Sequence, residues 1–158
     1  MKNWSEALAD GLISGSLASV VSTAVLALRG RAETGSAFAP TNAVSHWIYG
    51  DRAARQDRPS VRYTLPGYLI HHGSSLLWGV LYERWFGRHA EKGEVGPALG
   101  GAVAVAGLAC FVDYKMTPER LQPGFEKRLS TPSMAMVYGG VAAGFVIRGF
   151  LCAMKKGR

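Results

Sequence analysis

Charge is what much of this sequence lacks. It carries 18 Lys and Arg and 11 Asp and Glu residues, yet four windows, 11–28, 65–82, 95–114 and 133–152, hold only Asp113 and Arg148 among them. A soluble helix keeps one charged face for water, whereas these windows are apolar or small all the way round. Each is 18 to 20 residues long, enough for a helix to cross about 30 Å of hydrocarbon. The pattern excludes an ordinary soluble domain.

Cysteine is equally scarce. Cys110 and Cys152 both fall inside the apolar windows, and one pair cannot make a disulfide scaffold, so they read as small buried hydrophobes. No Gly-x-Ser-x-Gly, HExxH, phosphate-binding loop or dinucleotide fingerprint occurs. Ser45 beside His46 has no third group to orient it. No catalytic residue or cofactor is therefore assigned, and the chain does not read as an enzyme. The net charge of +7 is spread over segments flanking the windows rather than gathered on one face, which argues against nucleic acid as a partner. With no internal repeat or linker, residues 1–158 read as a single domain. The small-x-small stretch Ala37–Ala39 lies beyond Arg29 and Arg31 and is a weak signal for signal-peptide cleavage.

What is present predicts an all-α integral membrane protein, a four-helix bundle with short interfacial helices in its first and third loops. The first loop, 29–64, is too long for a turn. Thr41 and Asn42 are good N-cap types, and Val44, Trp47 and Ile48 fall on one face of a short interfacial helix that Gly50 can end. In the third loop Thr117–Pro118–Glu119 reads as a helix start, and Thr131–Pro132 repeats that signal before the fourth window. Lys and Arg counts do not decide orientation, with seven on the side of both termini and ten, over longer segments, on the other. The denser clusters favour cytoplasmic termini.

Helices in lipid associate through close backbone approach at small residues. Gly11, Gly15, Ser19 and Thr23 recur at four-residue spacing, as do Gly96 and Gly100, and Gly140 and Gly144, and such stripes serve contacts within one chain or between copies. Polar residues inside apolar windows are costly and mark either structural or functional groups. Antiparallel spans put His71, His72 and Asp113 at similar depth, with His46 on the same side. That set offers metal ligands or a proton path, or structural hydrogen bonds. Adjacent histidines point about 100° apart on a helix, which weakens the metal case. At the opposite end Asp10, Glu83 and Arg148 share a level, and Glu83 with Arg148 is the expected intramembrane ion pair.

The stretch from Ala39 to Trp47, with Gly50-Asp51, Arg62-Tyr63-Thr64, Ile70-His71-His72, Leu81-Tyr82-Glu83, Asp113-Tyr114 and Pro123-Gly124-Phe125-Glu126, resembles a group of small uncharacterised bacterial membrane proteins. A fainter likeness, in the long first loop and the His-containing second window, is to the YagU-like inner membrane proteins, which are linked to acid tolerance. The resemblance implies a multi-pass location in the bacterial inner (cytoplasmic) membrane and brings no mechanism. The leading functional expectation is an accessory or scaffold subunit, partnered by the lipid bilayer and by a second copy or another membrane protein. The alternatives are a metal-ion or proton-handling, transporter-like protein using the His/Asp cluster, and a haem-binding redox subunit.

Overall fold

The computed structural model describes residues 1–156, and among them all regular structure is helical. Helix α1 spans Trp4–Thr34, α4 Thr64–Trp85, α6 Val95–Phe111 and α7 Thr131–Lys156. Between them lie the short helices α2 (Ala39–Val44), α3 (His46–Tyr49) and α5 (Gly87–Glu91). Helix α1 overruns its apolar window at both ends. Asn3 accepts from the Glu6 N–H while the Glu6 carboxylate accepts from the Asn3 N–H, a capping box, and Gly35 at φ 76° closes the other end.

Three helices, Trp4–Thr34, Val95–Met116 (which includes the turn after α6) and Thr131–Lys156, are long and apolar enough to cross a membrane. Helix α4 is not among them, so three of the four expected spans meet that measure by length and composition. Its 22 residues suffice in length, but it contains no alanine, and Tyr68, His71, His72, Ser74, Ser75 and Trp78 stand between its leucines. Absence of charge is not the same as apolarity.

Helix α1 is central, packed along α4 on one side and α7 on the other, and α6 closes against α7. Small residues permit this. A Cβ on Gly15 would stand 2.6 Å from Leu76 Cα, and one on Gly79 would stand 2.6 Å from Gly15 Cα. Gly11 meets Val80, Gly144 meets Ala18, and Gly140 faces Ser22 and Val25. Ser19 is fully buried. Gly96 and Gly100 depart from the expected stripe, because space is open where their Cβ atoms would project. The α6 glycine that meets a neighbour is Gly101, against the Phe86 ring.

Large apolar side chains lie mostly outside. Leu12, Val20, Leu69, Leu77, Val103 and Phe111 are exposed, while much of the interior is Ala, Gly and Ser around Tyr82, Phe145 and Leu26. Water would penalise that arrangement, whereas hydrocarbon accepts it.

The first loop folds differently from its sequence signals. Helix α2 begins at Ala39, with the Ser36 hydroxyl accepting from the Phe38 and Ala39 N–H groups, so Thr41 and Asn42 are not its caps. Asn42 is instead wholly buried. Its amide donates to the Gln56 and Arg58 carbonyls and its oxygen accepts from Thr64 Oγ1, pinning the loop to the start of α4. A break at Ser45 then splits the expected interfacial helix, burying Val44 and exposing Ile48. Trp47 donates through its indole N–H to the Gln122 carbonyl at 2.8 Å, joining the first and third loops. Gly50, at φ 62°, ends α3 as its position predicts.

Candidate functional site

Polar groups gather at two ends of the helical body. At the end bearing the N-terminus, the Lys2 ammonium donates to Asp10 at 2.7 Å, Glu83 at 2.5 Å and Glu91 at 2.6 Å. Arg148 bonds Asp10, lies 2.8 Å from Glu91 and 3.7 Å from Glu83, and the Ser14 hydroxyl donates to Glu83. Lys2 and Glu83 are 3% and 1% exposed, so this is a desolvated network. Its geometry exceeds the expected Glu83–Arg148 pair, because the shortest links of Arg148 go to Asp10 and Glu91.

The ligand atoms of Asp10, Glu83 and Glu91 lie close enough together to hold a metal ion. The Lys2 ammonium already sits at their focus with all three donors used, and the Arg148 guanidinium flanks it. The donor set is satisfied by organic cations, so it is structural. Burial opposes the charge on Lys2, but its bonds to Asp10, Glu83 and Glu91 outweigh that and hold its pKa above the usual lysine value. Burial likewise opposes ionisation of Glu91, and bonds from Lys2 and Arg148 outweigh it, lowering its pKa.

Toward the other end α4 and α6 part, and a chamber of about 270 Å³ opens between α4, α6 and α7 beneath the first and third loops. His71 and Asp113 both line it, on walls otherwise formed largely by apolar and aromatic side chains including Trp47, Trp78, Phe125 and Tyr138. Asp113 stands in a π-helical turn, Val112–Met116, that continues α6. Such widened turns recur at functional sites because they re-aim a side chain without ending the helix. Tyr138 donates to Asp113 Oδ2 at 2.6 Å. Among the described residues no cationic side chain pairs with Asp113.

His71 is oriented from α1. The Ser22 hydroxyl donates to the Ala18 carbonyl at 2.7 Å, so His71 Nε2, 2.8 Å from Ser22 Oγ, is the donor to it. In the neutral ring Nδ1 is then an acceptor. The four candidate ligands do not converge. His72 stacks on Tyr68 at 5.6 Å and does not line the chamber. His46 bonds the Ala43 carbonyl at 3.0 Å and lines a separate surface cleft with Asp51, Glu119, Arg120 and Lys127. The expected set His46, His71, His72 and Asp113 thus divides, leaving His71 with Asp113. Adjacent positions on a helix diverge, and the split of α2 from α3 carries His46 aside.

Sequence reasoning passed over Lys2 and Glu91, treated as loop charges, and the aromatic walls of the chamber. A signal existed for the first two. Both sit beside the span ends that carry Asp10, Glu83 and Arg148. Comparison with family profiles, curated proteins and solved structures finds no match to this chain.

Proposed function

We propose that this is a multi-pass protein of the bacterial inner membrane, a bundle of four spanning helices that binds a small cationic solute in the chamber shared by His71 and Asp113. The observation that carries the reading is the state of Asp113. Its carboxylate faces an apolar chamber without a cationic partner among the described residues, while Asp10, Glu83 and Glu91 at the other end each have one. An intramembrane carboxylate left without a counter-ion is costly, and a bound cation offsets that cost. The outward apolar side chains support the membrane location. Leu65, Leu69 and Leu77 give α4 an exposed apolar face too, so it can share the bilayer with its neighbours.

The test is thermal unfolding of purified protein in nanodiscs across monovalent, divalent and organic cations. Saturating a site raises stability by about 2.7 kcal/mol at a hundred times Kd. A cation that raises Tm in the native protein and not in Asp113→Asn supports the reading, and failure of every cation overturns it.

The accessory-subunit reading draws on a different observation, the outer side of α6. Gly96, Gly100 and Gly107 face open space there, among exposed Leu99 and Val103, so a helix of a second copy or of another membrane protein could approach closely. On this reading Gly100→Leu dissociates the assembly in cross-linking experiments without lowering the Tm of the single chain. A haem is a poor fit, since 270 Å³ lies below the usual range of small-molecule pockets, about 300–1,000 Å³.

A further inference from the structure

The walls of the chamber say more about its occupant than its charge alone. A divalent metal needs several ligand atoms converging on one point. Among the described residues the group that converges in this way is Asp10, Glu83 and Glu91, already filled by Lys2, and the chamber offers one carboxylate and one imidazole that belong to no such group. Its other polar lining is the hydroxyls of Ser74, Ser75 and Thr117, the last two donating to the His71 and Val112 carbonyls, so a small inorganic ion entering it would exchange most of its water shell for indole, phenyl and aliphatic surface, which cannot replace those oxygens.

An organic ammonium has the complementary build. Its charge is spread over apolar substituents and is weakly hydrated, so aromatic faces and one carboxylate satisfy it. The chamber supplies both. Asp113 contributes a carboxylate whose Oδ2 is steadied by Tyr138 and whose Oδ1 accepts no hydrogen bond among the described residues. Trp47, Trp78, Phe125 and Tyr138 supply aromatic surface from four different segments. His71 has its Nε2 engaged at Ser22, so in the neutral form it adds an acceptor at Nδ1 rather than a competing positive charge.

Resting on the cation-binding reading above, we infer that the ligand is a small organic ammonium with an apolar or aromatic body, its charged nitrogen held at Asp113 and its body against the aromatic walls of the chamber. The volume suits roughly a dozen non-hydrogen atoms.

The probe is labelled benzyltrimethylammonium, measured by equilibrium binding to the full chain in nanodiscs, with neopentylbenzene, its uncharged carbon isostere, and zinc chloride as competitors. We expect saturable binding that neopentylbenzene does not displace at equal concentration. It weakens by at least about tenfold in Asp113→Asn, as for loss of one partner of a desolvated charge pair, is restored in part by Asp113→Glu, and weakens in Trp78→Leu. Each variant is first checked for a native elution profile, and Trp78→Leu tests the site independently if Asp113→Asn does not assemble. Equal binding of the uncharged isostere, unaffected by Asp113→Asn, marks the chamber as a lipid-like apolar pocket and overturns both this inference and the cation reading. Stabilisation by zinc at Asp113, with no benzyltrimethylammonium binding, overturns the ligand class alone, whereas stabilisation by protons and by no other cation overturns both. No binding of any probe overturns both.

Discussion

The ammonium of Lys2 is held by three carboxylates and reaches almost no solvent, so its removal is felt at once. Lys2→Met would leave Asp10, Glu83 and Glu91 facing one another with Arg148 alone to balance them. Removing one partner of a buried ion network costs about 3–5 kcal/mol, and thermal unfolding in mild detergent should show a large fall in Tm. Adding Glu83→Gln to Lys2→Met should recover part of the loss, because it deletes a carboxylate that has lost its main partner, and a double-mutant cycle measures that coupling. The same groups set the pH response. The raised pKa of Lys2 means its contribution is complete below the ordinary lysine value of 10.5 and fades as pH rises through the folded-state value. The lowered pKa of Glu91 means its contribution is complete above 4.5 and fades as pH falls through the folded-state value. The contributions of these two groups should therefore be level between these limits, and on the acid side Glu91→Gln should reduce the slope of Tm against pH. At this scale the sequence was partly legible. Asp10, Glu83 and Arg148 could be placed on one level by counting along antiparallel helices, but Lys2 and Glu91 lie outside the apolar windows, and only the fold of the N-terminus and of α5 turns them inward.

Helix α1 carries a glycine and serine face that nothing bulky can share. At Gly15 the nearest atoms to an added Cβ are the backbone of α4, Leu76 Cα at 2.6 Å and the Ser75 carbonyl at 2.7 Å, and backbone cannot rotate away as a side-chain tip can. Gly15→Leu should force α1 and α4 apart, costing more than the 1–3 kcal/mol typical of overpacking, and should appear as lost folded yield and lowered Tm. The spacing of small residues announced this face, and the contacts place Gly11, Gly15, Gly140 and Gly144 against neighbouring helices. The same spacing in α6 led elsewhere, because a four-residue recurrence fixes that residues share a face and not which neighbour, if any, that face meets. The short helix of the first loop was harder to read for a related reason. Asn42 is an N-cap type by its chemistry, yet the side chain bonds backbone and hydroxyl groups 14 to 22 residues away, and local preference yields to such tertiary demand.

Across the whole molecule, the arrangement of α4 decides which topology the proposed membrane location would take. Of the four long helices it alone lacks a continuous stretch apolar enough to cross a membrane by composition, since it sums two different faces. The inward one holds Ser75, Tyr82 and Glu83, and the outward one Leu65, Leu69 and Leu77. A bilayer meets only the second. Helix α4 also runs antiparallel to α1 from Gly11 at Val80 to Ser22 at His71, so withdrawing it from the membrane would bare the glycine face of α1 and the side chain of Glu83. On that argument the proposed topology has α4 cross with α1, α6 and α7, which would put both termini on one side of the membrane. Single cysteines placed at Ser5, at Arg55 and at Lys155 in a Cys110→Ala, Cys152→Ala background test this with an impermeant thiol reagent on sealed vesicles. Four crossings give the same accessibility at Ser5 and Lys155 and the opposite at Arg55. If α4 instead lies outside the bilayer and three helices cross, the two ends label from opposite sides, and the chamber between α4 and α6 would then open to water rather than to lipid.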